Sequence, residues 1–308
     1  MAKRDTDEDL WKRRLWHRLQ LIEALESHLD GRHWGLAAGG SDLAMDDAQA
    51  YPFQTSHLVA HCLSSGLDCL RSTRILLTDP SVDAGLRIPL IGHYPAIRSA
   101  MESGAEAPWL LGPEESQLRV VRTLQARWDD IVDDDQAILA MTDSDAGDQK
   151  ADVVRKQKMR RENSKNVRAK KRRLRTVAAN AKVPESVMFE GLPGFGEMLR
   201  ETAKFTRVES NHQAGMWRLV SGLSHPSASR ALMLSVVDEV DEERGIVNAE
   251  LTASISMTSS AIDAALLLHF HALDLAATRG NRPDVAFRLP DGVPLPPGYE
   301  HLATFLGR

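Results

Sequence analysis

The chain has 308 residues, 43% of them hydrophobic and 26% charged, with a formal net charge of −5. That balance is typical of a globular protein and excludes the disordered, collagen-like and disulfide-scaffold classes. The length suits either two domains of about 150 residues or one helical bundle carrying insertions.

The two cysteines, Cys62 and Cys69, are seven residues apart, or about 10 Å along a helix axis, too far to bond to each other. Residues 1–9 are charged and lack the apolar segment of a signal peptide. The most apolar stretch, 261–277, is interrupted by Asp263, His269, His271 and Asp274, whereas a membrane span needs roughly 18 uninterrupted apolar residues. A soluble, cytoplasmic protein with no membrane segment is expected.

In chain order, Leu10, Trp11, Leu15, Leu19, Ile22, Leu25 and Leu29 predict an amphipathic helix over 7–29. Gly35, Gly39, Gly40 and Pro52 predict a loop, followed by a helix over 55–77 with Leu58, Cys62, Leu63, Leu67, Leu70 and Leu77 on its apolar side. A third helix is expected over 93–111, closed by Gly112 and Pro113. A fourth covers 114–142, where Leu118, Val121, Leu124, Trp128, Ile131 and Leu139 keep the helical period. A polar turn leads into one long charged helix over 149–181, stopped by Pro184.

Gly191, Pro193, Gly194 and Gly196 mark a break before helices over 197–206 and 211–224. Residues 230–240 and 245–256 are rich in Val, Ile, Leu and Thr and read as a β-hairpin, with helix as the alternative. The last helix is expected over 257–278, and a proline-rich extended tail over 282–298.

The fold class is therefore mainly α: a helical bundle with a long charged helical hairpin and a small β-hairpin near 230–256. The expected domains are an N-terminal amphipathic helix and loop over 1–54, a bundle over 55–278 with the charged hairpin inserted at 129–181, and a proline-rich tail over 279–308.

Between Lys150 and Arg175 stand thirteen Lys or Arg against only Asp152 and Glu162, in a chain that is acidic overall. A basic helix of this kind is an electrostatic footprint for nucleic acid, and Lys158, Arg161, Lys165, Arg168, Lys171 and Arg172 are its candidate contacts. The preceding helix and turn carry Asp129, Asp130, Asp133, Asp134, Asp135, Asp143, Asp145 and Asp148. Folded as a hairpin, the two blocks can neutralise each other and leave a solvated arm instead. The basic stretch lacks aromatic residues for stacking on bases, which argues against single-strand recognition.

The segment Met216-Trp217-Arg218-Leu219-Val220-Ser221-Gly222-Leu223-Ser224-His225-Pro226 carries the clearest chemistry. Arg218 and His225, seven apart, project from one face if the helix holds through Ser224. Near neutral pH, His225 suits a general base for a 2′-hydroxyl or a general acid for a leaving oxygen. Arg218 would stabilise charge on phosphoryl oxygens, and Ser221 and Ser224 would orient the imidazole or the phosphate.

An Arg, six residues and a His near a helix end resemble the HEPN superfamily of compact helical bundles. Together with Arg98-Ser99-Ala100-Met101-Glu102 and Trp109-Leu110-Leu111, the chain is similar to uncharacterised bacterial proteins of that type over roughly 55–278, excluding the charged hairpin. The resemblance implies a metal-independent endoribonuclease of the toxin or phage-defence kind, acting on RNA as a homodimer whose Arg/His pairs face each other. It departs from the nuclease pattern in having Leu219, not a polar residue, directly after Arg218. The alternative is a structural network in which Arg98, Glu102 and Glu106 pair with Arg218 inside the bundle and His225 caps the helix end. The protein is then a non-catalytic interaction or nucleic-acid-binding protein.

Three other patterns carry less. His57 and His61 have the i,i+4 spacing of helical metal ligands, beside Cys62 and before Asp68, but no third ligand is in position. No metal and no cofactor is expected. Residues 191–196 lack the Lys-Ser/Thr of a phosphate loop and read as a turn. His269 and His271 point to different helix faces, so a shared ligand role is not expected.

Overall fold

The computed structural model describes residues 2–30, 35–82, 85–143, 147, 149–206, 209–225, 227–243 and 246–289. The expected proline-rich tail beyond 289, the turn at 244–245, and Asp145 and Asp148 of the acidic block lie outside the described residues.

The protein is mainly α, with eleven helices and one two-stranded antiparallel sheet among the described residues. The helices before the sheet are α1 (Ala2–Leu29), α2 (Asp42–Ala50), α3 (Thr55–Leu77), α4 (Tyr94–Leu111), α5 (Ser116–Met141), α6 (Lys150–Asn180), α7 (Glu185–Met188), α8 (Phe195–Thr206), α9 (Ser210–Leu223) and α10 (Ala228–Leu234). Strands β1 (Ser235–Glu243) and β2 (Ile246–Ala253) and helix α11 (Ile255–Gly280) follow. The chain divides into two compact units. One gathers Met1–Leu36, Val59–Gly112 and the chain from Gly194 onward; the other gathers Ala37–Leu58 and Pro113–Pro193.

The first unit is organised on α11, which packs against α4, α1, α9 and α8. Helix α11 is apolar nearly all round, the signature of a helix enclosed by others. Alone among the described residues it is long and apolar enough to cross a membrane, and 72% of its apolar window is buried. Ser254 caps its start by accepting from the Met257 N–H at 3.2 Å, and Asn281 in the left-handed conformation ends it. Two bidentate ion pairs tie α1 to its neighbours: Arg18 to Asp263 of α11 at 2.7 and 2.9 Å, and Arg74 of α3 to Glu26 at 3.0 and 2.9 Å.

The buried His269 imidazole donates from Nε2 to the Ala100 carbonyl of α4 at 3.0 Å and lies against Gly66, where a side chain would collide with it, and near Gly104, where one would be tightly packed. His93 is also buried, sharing a 2.9 Å hydrogen bond with the Thr258 hydroxyl. Burial lowers the pKa of each imidazole from 6.5 to about 4.

The β-hairpin is present, with Ser235 opposite Ala253 and a register shift between Glu239 and Asp241. It begins later than expected: residues 230–234 belong to α10 and the strand starts at Ser235. Leu232, Met233 and Leu234 supply apolar mass without the β-branching or alternation that makes a strand, so the turn of helix prevails locally.

In the second unit α5 and α6 form an antiparallel hairpin. Val120, Leu124 and Ile131 face Val167, Leu174 and Val177, and Met188 of α7 closes the cluster. Trp128 and Phe189 pack beside it with ring centroids 4.4 Å apart. Helix α2 occupies the segment for which a loop is expected. It buries Leu43, Ala50 and the carboxylate of Asp46, which meets Arg119 of α5 in a pair that is 0% and 1% exposed. The Arg119 guanidinium also donates to the carbonyls of Pro113 and Glu114, so its charge is buried with its donors occupied. After α7 the chain turns at Gly191, whose φ is +71°, and the Leu192 N–H donates to Asp129 at 2.7 Å; the break expected over 191–196 is confined to 191–194, because α8 already starts at Phe195.

Candidate functional site

Helices α4 and α9 pack directly on each other in the first unit. Helix α9 turns Met216, Val220 and Leu223 into the core, which leaves Arg218 exposed and Trp217 and Ser221 at the margin. Helix α4 presents Arg98 and Glu102, one turn apart, to that margin. Glu102 Oε1 accepts from two donors, Arg98 Nε at 2.8 Å and the Trp217 indole at 3.0 Å. Arg98 then uses Nη1 to donate to His225 Nε2 at 3.1 Å.

A guanidinium can only donate, so Nε2 is the acceptor in this contact. The chain of contacts therefore runs from an indole through a carboxylate and a guanidinium to a histidine that is itself exposed. Helix α9 stops at Leu223, one residue short of the expected end. Ser224 keeps helical torsions, and its hydroxyl donates to the Val220 carbonyl at 2.8 Å. The Ser227 N–H donates to the His225 carbonyl at 2.7 Å, folding the chain into α10, where Arg230 reaches back to the Arg218 carbonyl at 3.0 Å.

The result is an open depression of about 350 Å³ lined by Trp217, Arg218, Ser221, His225, Ser227 and Arg230. Two guanidinium groups, an imidazole and two hydroxyls surround a space open to solvent, a donor-rich set suited to an anion such as a phosphate. Of the residues singled out in the sequence, Arg218, His225 and Ser221 line the depression, and Arg98 and Glu102 stand behind His225. Ser224 is turned onto its own helix. Glu102 pairs with Arg98, not with Arg218, and the Arg218 side chain makes no hydrogen bond or ion pair among the described residues. Sequence reasoning missed Trp217, Ser227 and Arg230; a second Arg close behind the His-Pro dipeptide was the available signal.

The basic residues lie in the second unit, on α6. Lys158, Arg161, Lys165, Arg168 and Arg172 are exposed, while Lys171 lies over the Trp128 ring at 4.9 Å. Asp134, Asp135 and Asp143 engage Lys170 at 3.1 Å, Asn163 at 2.7 Å and Arg160 at 3.0 Å. His57 and His61 are exposed on α3 beside the buried Cys62. Among the described residues no three His, Cys, Asp or Glu side chains are grouped as metal ligands.

Comparison of the chain with protein-family models, with curated proteins and with solved structures yields no match.

Proposed function

We propose that the protein is a metal-independent endoribonuclease of the HEPN kind, with Arg218 as phosphate ligand and His225 as acid/base. The observation that carries this reading is that both side chains are exposed and line the same depression, with His225 held from behind by Arg98. A purely structural Arg218 would be buried and neutralised.

The reaction uses the RNA's own 2′-hydroxyl. His225 takes its proton, the oxygen attacks the adjacent phosphorus, and the bond to the 5′-oxygen breaks as that oxygen takes a proton from solvent, leaving a 2′,3′-cyclic phosphate and a 5′-hydroxyl. Arg218 and Arg230 face the phosphoryl oxygens on which charge builds. The Nε2 lone pair of His225 already receives a donor, so a substrate hydroxyl at that edge takes over the place of the Arg98 N–H. The same reading pairs two such sites in a homodimer in the cytoplasm.

The test is RNA cleavage in EDTA by wild type, His225→Ala, Arg218→Ala and the double variant, with thermal melts alongside. Loss of cyclic-phosphate product in every variant at unchanged melting supports the nuclease. No cleavage by wild type, together with a large drop in melting for Arg218→Ala, overturns it. A second reading, nucleic-acid binding without hydrolysis, is favoured by the exposed cations of α6.

A further inference from the structure

Helix α6 has two opposed faces. Val167, Leu174, Val177 and Ala178 are buried against α5 and α7. On the opposite side Lys158, Arg161, Lys165, Arg168 and Arg172 recur at intervals of three and four residues. At about 100° per residue these five positions fall within a sector of roughly 80°, and they extend about 21 Å along the helix. All five are exposed.

The aspartates of α5 leave this row alone. Asp134 and Asp135 of α5 engage Lys170 and Asn163, and Asp143, just beyond the end of α5, engages Arg160; these partners lie on the side of α6 that faces α5. Along the row itself, Lys158 approaches Glu162 only at 4.0 Å, and Arg168 donates to the Ser164 carbonyl of its own helix at 3.0 Å. Arg161, Lys165 and Arg172 have no hydrogen-bond or ion-pair partner among the described residues. Among the described residues the self-neutralisation open at the level of sequence is thus confined to one side of the helix.

We propose that this outward face of α6 docks the phosphodiester backbone of a double-helical nucleic acid, without regard to base sequence. Three properties select that partner. The row is straight and held by a packed hairpin, which matches a rigid polyanion better than a flexible strand. It holds no aromatic side chain, so there is nothing on which unpaired bases would stack. An anionic membrane surface would need an apolar face to insert, and the apolar face of α6 is already buried. The interaction is independent of the Arg218/His225 chemistry, because duplex DNA has no 2′-hydroxyl and can bind here without being cut.

The experiment measures affinity of the full chain for 20-base-pair DNA and RNA duplexes, for single strands of the same length, and for a polyglutamate peptide of matched charge, between 50 and 200 mM salt. With five phosphates neutralised, the slope of log K against log salt is about −4.5, a loss of about 500-fold across that range. Each single change among Lys158→Gln, Arg161→Gln, Lys165→Gln, Arg168→Gln and Arg172→Gln reduces the slope by about one. Arg87→Gln, on the other unit, leaves it unchanged. Circular dichroism checks that α6 remains helical. Binding of both duplexes with these slopes supports the proposal, and a difference between them shows which helical form is preferred. Tighter binding of single strands, equal binding of polyglutamate, or a duplex slope indifferent to all five substitutions overturns it. Cleavage in EDTA, scored separately, decides the nuclease reading whatever the duplex result.

Discussion

Gly66 of α3 and the His269 imidazole of α11 pack so closely that a Cβ on Gly66 would overlap the ring. The ring is buried and held by its hydrogen bond to the Ala100 carbonyl, so moving it aside breaks that bond. Gly66→Ala is therefore expected to destabilise the first unit by about 1–3 kcal/mol through overpacking. A thermal melt checks this, and Gly66→Ala combined with His269→Ala should recover part of the loss. An unchanged melt for the single variant would show that the ring has room to move.

Acid should loosen the same unit in a defined window. His93 and His269 are neutral in the fold with pKa values of about 4, pulled down by burial, whereas in the unfolded chain they titrate near 6.5. Below pH 6.5 the unfolded chain therefore binds protons that the folded chain does not. Their contribution is complete above that pH and is lost as the pH falls to about 4, by up to about 3 kcal/mol for each imidazole. Urea midpoints between pH 7.5 and 4.5 should fall accordingly, with a shallower fall for His93→Gln. A flat profile in wild type would contradict the buried neutral imidazoles.

Breaking the Asp46–Arg119 pair should be costly for the second unit. Each partner is buried, and removing one leaves the other charge without compensation, at about 3–5 kcal/mol. Asp46→Ala and Arg119→Ala should each lower the urea midpoint sharply. The double variant Asp46→Leu with Arg119→Met should be much closer to wild type, because no lone charge remains. Additive losses in the double variant would argue that the pair itself, not the orphaned partner, supplies the stability.

Glu102 is linked to His225 through Arg98. Glu102→Ala removes the acceptor shared by Arg98 and Trp217, at a cost of about 1–3 kcal/mol in stability. If the nuclease reading holds, cleavage by this variant should fall in kcat by about tenfold with KM little changed, the pattern of a mispositioned catalytic group. Glu102→Gln keeps a carbonyl acceptor and should retain more activity than the alanine variant. Equal activity in wild type and Glu102→Ala would detach the carboxylate from the site.

The long helices were legible because their apolar residues recur at the helical period with capping or breaking residues at the ends; α3, α4 and α5 are the clearest. Helix α2 was not legible, since one of its three buried side chains is the charged Asp46, whose partners Arg119 and Ser116 lie 73 and 70 residues on. In the site, Arg218 and His225 could be paired from spacing, and Arg98 with Glu102 from their one-turn interval. The link between those pairs could not, because it depends on how α9 lies across α4. Trp217 and Arg230 enter only through that packing and through the turn after Ser224.

The two units also differ in when they can form during synthesis. The second is complete once Pro193 has been made, and its contacts are drawn mostly from one continuous stretch. The first cannot close at that point, because α11, which covers α1 and α4, has yet to be translated. Until then its apolar faces must wait exposed, the condition in which a nascent chain is most open to aggregation and to chaperones. A growing chain halted between α7 and α8 would thus carry a finished charged hairpin beside an unfinished bundle. The charge of that hairpin would keep the intermediate in solution while the bundle awaits its central helix.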